Sequence, residues 1–148
     1  MSNSDNVKTL REMTGAGVMD CKKALEEAAG DLDAARKIIF ERGLIKAERK
    51  AERGTGAGLL ETYVHNGRIG VLLELRCETD FVVRSEPFRW LAHELVMHIA
   101  AMNPENLESL LQQPYIKDDS QTIEQLVKNT IAKTGENIKI ERFCRYEL

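Results

Sequence analysis

The sequence has neither a long hydrophobic run nor an excess of charge of one sign. No apolar stretch approaches the roughly 18 residues that a membrane-spanning helix needs. The first residues, MSNSDNVKTLREM, lack the basic and apolar regions of a secretory signal. The net charge is −3, from 21 basic and 24 acidic residues, whereas domains that bind nucleic-acid phosphates are usually strongly basic. We therefore expect a cytoplasmic protein that binds neither a membrane nor nucleic acid directly.

Cysteine is also scarce. The three cysteines, Cys21, Cys77 and Cys144, are odd in number and far apart, with no C-x-x-C pair. This spacing predicts neither a zinc site nor a disulfide framework. Cys77 falls on the inner face of a predicted strand, and Cys144, in the last strand, is expected to be a buried free thiol.

Signatures of enzymes and cofactor sites are absent as well. His93, Glu94 and His98 resemble a zinc-protease helix, but the two histidines are five residues apart, about 500° around a helix, and so diverge. We expect them to be surface or partly packed side chains. The glycines of KAERKAERGTGAG precede a predicted strand, whereas a phosphate loop precedes a helix. We expect no metal, no cofactor and no catalytic chemistry belonging to this chain.

The first third of the chain has helical periodicity. Residues 5–44 predict a bundle of three short helices, the second ending at Gly30 and the third at Gly43. The predicted organisation is a helical module at residues 1–45, a linker at 46–57 and a single core domain at 58–148.

The remainder predicts an antiparallel sheet covered by helices. Asn66-Gly67 separates two strand-like runs and is a strong hairpin signal. Gly135 ends a later amphipathic helix, and a bulge is predicted in the last strand between Ile140 and Phe143. The fold class is therefore α+β. A helix after Ser85 carries one apolar stripe, formed by Phe88, Leu91, Ala92, Leu95, Val96, Ile99 and Ala100.

Three motifs identify a family resemblance. They are TGAGVMDCKKAL from Thr14, CETDFV from Cys77 and AKTGENIKIERF from Ala132. With these motifs the sequence resembles the elongation factor Ts family, the guanine-nucleotide exchange factors of the translational GTPase elongation factor Tu. The resemblance covers nearly the whole chain. It implies a translation elongation factor that catalyses GDP release and GDP/GTP exchange without chemistry of its own.

The resemblance also implies where elongation factor Tu is bound. The N-terminal bundle is expected to be a ubiquitin-associated-type module that touches the partner's nucleotide-binding domain, and Phe81 is expected to enter a pocket near the partner's magnesium site. The residues implied are Thr14, Gly15, Ala16, Gly17 and Met19 in the module, Thr79, Asp80, Phe81 and Val82 at the magnesium site, and His65 and Gly135 elsewhere on the core.

Two interpretations of the Asp80-Phe81 pair stay open at this point. In one, Asp80 is a helix N-cap and Phe81 packs on its own sheet, which the spacing alone favours. In the other, the cap presents Phe81 outward to a partner, which the family resemblance favours.

The sequence departs from the family pattern in having one core and a short segment after Pro104. Family members with two cores divide the Phe81 and His65 motifs between them. A homodimer, with a strand edge available for pairing, is our hypothesis for restoring that arrangement. The alternative function is a ribosome- or nascent-chain-associated binding module without exchange activity.

Overall fold

The computed structural model describes residues 2–148, which form two compact units, one ending at Lys46 and the other running from Ala47 to Leu148. The fold is α+β, as predicted. The helices are α1 (Asn3–Thr14), α2 (Val18–Glu27), α3 (Leu32–Glu48), α4 (Asp80–Val83), α5 (Glu86–Met102), α6 (Leu107–Gln112) and α7 (Ile123–Thr134), and the strands are β1 (Ala57–His65), β2 (Ile69–Cys77), β3 (Pro114–Tyr115), β4 (Asp118–Thr122) and β5 (Ile138–Glu147).

The first unit is the predicted three-helix bundle. Ser2 begins α1 with a capping box, in which its hydroxyl accepts a hydrogen bond from the N–H of Asp5. Gly15 ends the helix in the left-handed conformation, with φ at 70°. The bundle core is small and consists of Leu10, Cys21, Ala24, Leu25 and Ala35.

The third helix is longer than predicted. We expected it to end at Gly43, but it continues to Glu48. Ala47 is buried in the core of the second unit, and this packing offsets the cost of about 1 kcal/mol for a glycine inside a helix. The turn that follows is also fixed, because the side-chain amide of Asn137 donates hydrogen bonds to the carbonyl oxygens of Ala51 and Arg53. Part of the segment that we expected to be a linker is therefore attached to the core.

The main sheet has the strand order β1-β2-β5 and is antiparallel. Asn66 and Gly67 form the predicted hairpin turn, both with positive φ, at 53° and 66°. Along β2, the inward side chains of Val71, Leu73 and Leu75 are buried, as the alternation of the sequence indicated.

Helix α5 covers the inner face of this sheet, and every member of its predicted apolar stripe is buried. Asn103 ends the helix in the left-handed conformation, with φ at 46°. The guanidinium of Arg145 donates two hydrogen bonds to the carbonyl oxygen of Ala100, at 2.9 and 3.1 Å, and satisfies one of the free carbonyls of the last turn.

Strand β5 contains the predicted bulge. Leu75 pairs with Ile140 and Glu74 with Arg142, so Glu141 is the extra residue. Beyond the bulge, Cys144 pairs with Leu72 on the outer face of the sheet. The expectation that Cys144 is buried was wrong, because no helix of the second unit covers this face and the thiol is exposed.

A short hairpin of β3 and β4 was not predicted, and polar contacts attach it to α5. Glu94 accepts hydrogen bonds from the hydroxyl of Tyr115 at 2.6 Å and from Nζ of Lys117 at 2.9 Å. Burial raises the pKa of Glu94, but these hydrogen bonds outweigh it and hold the pKa below its ordinary value.

His98 lies in the same region and is completely buried, whereas His93 is exposed. The N–H of Ile116 points at Nδ1 of His98 at 3.3 Å, and Nε2 lies 2.9 Å from Oε1 of Gln113. Nδ1 is therefore the acceptor and Nε2 carries the proton, so the neutral ring satisfies both neighbours. His98 is a core residue with a structural role.

We predict that stability falls at mildly acidic pH because of His98. Burial lowers its pKa from the ordinary 6.5, although the hydrogen bond to Gln113 acts in the opposite direction. Between the lowered pKa of the folded state and pH 6.5, the unfolded chain therefore binds a proton that the folded chain does not. The contribution to stability is complete above that pH and is lost as the pH falls toward the folded-state pKa.

The measurement is urea unfolding at pH values from about 7.5 to about 5, which span the titration range of histidine. The variant His98→Gln, which cannot titrate, should show a flatter pH profile. An equal slope in both proteins would contradict the assignment.

We also predict that Gly58→Ala destabilises the second unit. A Cβ at Gly58 would lie 2.5 Å from the carbonyl oxygen of Leu75, which is backbone and cannot move aside cheaply. Overpacking of this kind costs roughly 1–3 kcal/mol. Gly70→Ala is the matched control, because it is also in a strand and its Cβ would meet nothing within 4 Å. Equal unfolding free energies for the two variants would show that the contact at Gly58 is relieved.

Candidate partner-binding site

The candidate site begins where β2 ends. Thr79, and not Asp80 as we considered, is the N-cap of α4, and its hydroxyl accepts a hydrogen bond from the N–H of Val82 at 3.4 Å. Asp80 is the first helical residue and is exposed. We refer to residues 79–82 as the Phe81 turn.

The Phe81 turn exposes one apolar side chain to solvent and buries the next one. Phe81 is 79% exposed, while Val82 is only 4% exposed and belongs to the hydrophobic core. The interpretation in which Phe81 packs on its own sheet is therefore wrong. Val82 also needs a correction, because its buried side chain is not available to contact a partner. It anchors the turn from which Phe81 projects.

Gly135 lies close to this turn. It ends α7 in the left-handed conformation, with φ at 77°. The next residue, Glu136, accepts a hydrogen bond from the N–H of Thr79 at 2.9 Å. The structure thus brings Gly135 close to the Phe81 turn, although Gly135 lies 53 positions after Val82, the last residue of the turn.

His65 lies at the other end of the sheet. It pairs with Ile69 beside the hairpin turn, whereas Ala57 at the start of β1 pairs with Cys77, next to the Phe81 turn. The nine residues of β1 separate these two ends by roughly 27 Å. Nδ1 of His65 is hydrogen-bonded to the hydroxyl of Tyr63 at 2.9 Å, and both lie at this end. One chain therefore does not bring His65 and Phe81 together.

The predicted contact residues of the N-terminal unit form the turn between α1 and α2. The hydroxyl of Thr14 donates to the carbonyl of Leu10 at 2.7 Å and accepts from the N–H of Ala16 at 3.2 Å, which fixes the turn. Gly15 and Gly17 are the caps of the two helices. Ala16 is half-buried against the bundle core.

Met19 is exposed at the start of α2, and sequence reasoning missed two apolar neighbours in the same region. Met13 and Val18 are also exposed, on either side of the turn. The sequence signal that could have found them is their position, because Met13 is near the end of α1 and Val18 is at the start of α2, on either side of the predicted contact turn. We refer to Met13, Val18 and Met19 as the exposed apolar turn.

Sequence reasoning also missed Glu78 and Glu136, which hold the Phe81 turn. Glu78 directly precedes Thr79, and Glu136 reaches it from the loop before β5. No local pattern pairs two glutamates so far apart in sequence. The only signal was that one follows a strand and the other a helix-ending glycine.

Within residues 2–148 no three His, Cys, Asp or Glu side chains are arranged to hold a metal ion. In the same range, no helix combines the length and hydrophobicity required to cross a membrane.

Comparison with known proteins gives consistent matches. The family model described as elongation factor TS matches residues 4–109 and 78–148. Elongation factor Ts of Thermotoga petrophila is 43% identical over 188 aligned positions, covering 97% of this chain and 94% of that protein. The same factor of Coprothermobacter proteolyticus is 39% identical over 188 positions, covering 96% and 95%.

A third relative is longer. Elongation factor Ts of Aquifex aeolicus is 48% identical over 149 positions, which cover 97% of this chain but 51% of that protein. Because the family model matches almost every residue and two of these relatives align over nearly their whole length, the chain belongs to the elongation factor Ts family.

Proposed function

We propose that this protein is a translation elongation factor that promotes GDP release from, and GDP/GTP exchange on, elongation factor Tu in the cytoplasm. The observation that carries the proposal is Phe81, a large apolar side chain that is 79% exposed on a firmly held turn. An exposed aromatic ring on a rigid support is suited to insertion into a pocket of another protein. Membership of the elongation factor Ts family supplies the partner.

The proposed mechanism needs no covalent chemistry. A nucleotide is held by Mg²⁺ and by backbone N–H groups around its phosphates. If Phe81 enters a pocket near the magnesium site, with Asp80 making polar contacts beside it, the elements that carry the metal ligands are displaced. Burial of a Phe side chain contributes roughly 1.5–3 kcal/mol, which stabilises the state that holds nucleotide weakly.

The coupling works in both directions. Because the factor lowers the affinity for nucleotide, an incoming nucleotide lowers the affinity for the factor by the same free energy. GTP binding therefore releases the factor, which acts again on another partner molecule. The protein accelerates exchange without consuming GTP.

We assign the exposed apolar turn of the N-terminal unit to a second contact with elongation factor Tu. Its three apolar side chains are exposed together, and the adjoining backbone is fixed by the hydroxyl of Thr14. The same surface would suit a ribosome- or nascent-chain-associated module. That second function predicts binding without any change in the rate of GDP release.

We further propose that the active form is a homodimer in which one chain supplies Phe81 and the other supplies His65. Two observations support this. The two residues lie at opposite ends of the sheet within one chain, and strand β1, which runs between these ends, is roughly 27 Å long. The chain also aligns with only 51% of the longer Aquifex relative, so a second copy would supply a comparable length of protein.

The outer face of the sheet is the surface we assign to this dimer. No helix of the second unit covers it, and large apolar side chains from all three strands are exposed there. The strand register places Val64 and Tyr146 in one row across Gly70, and Leu72 beside Cys144 in the next. Sheet faces of this kind pack together about 10 Å apart. The exposed apolar residues are Leu60, Val64, Leu72 and Tyr146.

We predict that the protein accelerates release of a fluorescent GDP analogue from elongation factor Tu at substoichiometric concentration in stopped flow. Phe81→Ala should lower this exchange by roughly 10- to 100-fold, the equivalent of one buried Phe side chain. Its thermal stability should be unchanged, because the ring is exposed.

The matched control is Ile116→Ala, an exposed apolar side chain outside the proposed contacts. It should leave exchange unaltered. Normal exchange by a folded Phe81→Ala variant would contradict the wedge, and binding without acceleration by the unaltered protein would favour the ribosome-associated module.

We predict complementation between two inactive variants. Mixed Phe81→Ala and His65→Ala chains form dimers in which one of the two composite sites is intact. Random assortment should then restore about a quarter of the normal activity, since half of the dimers are mixed and half of their sites are complete. Light scattering measures the assembly state in parallel. A monomer with full activity, or no recovery on mixing, would contradict the dimer.

A further inference from the structure

A pair of glutamates holds the Phe81 turn from its own segment and from the loop before β5. We refer to Glu78 and Glu136 as the glutamate pair. Oε1 of Glu136 accepts hydrogen bonds from the N–H groups of Glu78 at 3.1 Å and Thr79 at 2.9 Å. Its other oxygen, Oε2, accepts from the hydroxyl of Thr79 at 2.7 Å. One carboxylate thus satisfies three donors at the start of the turn.

Glu78, the other member of the glutamate pair, accepts a hydrogen bond from the loop before β5. Oε1 of Glu78 accepts from the N–H of Asn137 at 2.8 Å, so each segment supplies an acceptor to the backbone of the other. Asn137 is buried, and its side-chain amide is bound to the carbonyls of Ala51 and Arg53. The loop that carries Glu136 is therefore held firmly on its far side.

The hydroxyl of Thr79 connects this network to the helix that carries Phe81. It donates to Glu136 and accepts from the N–H of Val82, so Glu136 orients the oxygen that caps α4. Helix α4 has only four residues, too few to be stable without external contacts. Hydrogen bonds to an ionised acceptor are stronger than neutral ones, which suits a carboxylate to this task.

We propose that Glu136 is a positioning residue for nucleotide exchange. It acts through Thr79 to fix the direction in which the Phe81 turn presents its ring. The inference rests on the proposed function and deepens it, because it assigns a role to a residue that was not predicted to touch the partner. The alternative role, support of the fold alone, is less consistent with its location. Thr79 is exposed, while the core beneath the turn is formed by apolar side chains such as Val82 and Phe88.

The consequence for exchange follows from preorganisation. Without Glu136 the turn loses three hydrogen bonds and has to be ordered when the partner binds, which lowers the affinity and misplaces the ring. We expect Glu136→Ala to lower exchange by about 5- to 50-fold. Glu136→Gln keeps one acceptor oxygen for the N–H groups and should be affected less. Glu141→Ala, an exposed acid at the β5 bulge, is the control and should behave normally.

A double-mutant cycle separates positioning from general stability. If Glu136 acts by directing Phe81, then Glu136→Ala should cause no further loss once Phe81 is already alanine. An equal loss in both backgrounds would overturn the proposal, because Glu136 would then act independently of the ring. Thr79→Val, which removes the hydroxyl but keeps the shape, repeats the cycle if Glu136→Ala folds poorly.

Hydrogen exchange on the chain alone gives a readout that does not depend on the partner. The amides of residues 78–82 should exchange faster in Glu136→Ala, while those of α5 keep their protection. Unchanged protection in the Phe81 turn would overturn the proposal.

Different outcomes contradict the proposed function and the role of Glu136. If the unaltered protein does not accelerate GDP release, the proposed function fails and this inference fails with it. Acceleration by the unaltered protein, loss in Phe81→Ala and a normal rate in Glu136→Ala would overturn the inference alone.

Discussion

The packing of α5 across the inner face of the sheet is the interaction on which the second unit depends. A three-stranded sheet needs a covered apolar face for stability, and α5 supplies it along nearly its whole length. Each large side chain of the stripe contributes roughly 1.5–3 kcal/mol by burial. Strand β2, in the centre of the sheet, is thereby fixed from one end to the other, and the Phe81 turn begins where that strand stops.

The site uses this rigidity in a simple way. Val82 joins the core beneath α5, and the preceding side chain, Phe81, which is about 100° from it around the helix, is exposed to solvent. Hydrogen bonds from a distant loop then fix the start of the turn. The result is an apolar ring that is exposed to solvent on a turn whose backbone is held by hydrogen bonds. Exposed apolar surface costs solubility and often marks a binding surface.

Periodicity in the sequence predicted much of the fold, because the relevant side chains are close in sequence. The stripe of α5, the alternation of β2 and the Asn66-Gly67 turn are local patterns, and all were found. The prediction that the third helix ends at Gly43 was wrong, because the burial of Ala47 outweighs the low helix propensity of glycine. The β3–β4 hairpin was missed because its strands have only two and five residues, too few to show a clear alternation of apolar and polar side chains.

At the candidate site, too, local sequence patterns were informative and contacts between distant residues were not predicted. Sequence pattern and family resemblance directed attention to Phe81, but the direction of its ring was open until the burial of Val82 was seen. Glu136 could not be assigned from the sequence, because its contact with Thr79 joins residues 57 positions apart. Cys144 was misplaced because the strand pattern does not show which face of the sheet lacks a helix.

The hairpin of β1 and β2 sets a distance as well as a fold. Its length separates the end that carries His65 from the end that carries the Phe81 turn. Each strand residue adds about 3.3 Å, and a shift of one residue would exchange the inner and outer faces of the sheet. Unless a bulge absorbs an extra residue, as in β5, the spacing between the two ends therefore changes in steps of two residues per strand, about 6.6 Å each. Such coarse steps favour conservation of hairpin length wherever both ends contact the same partner.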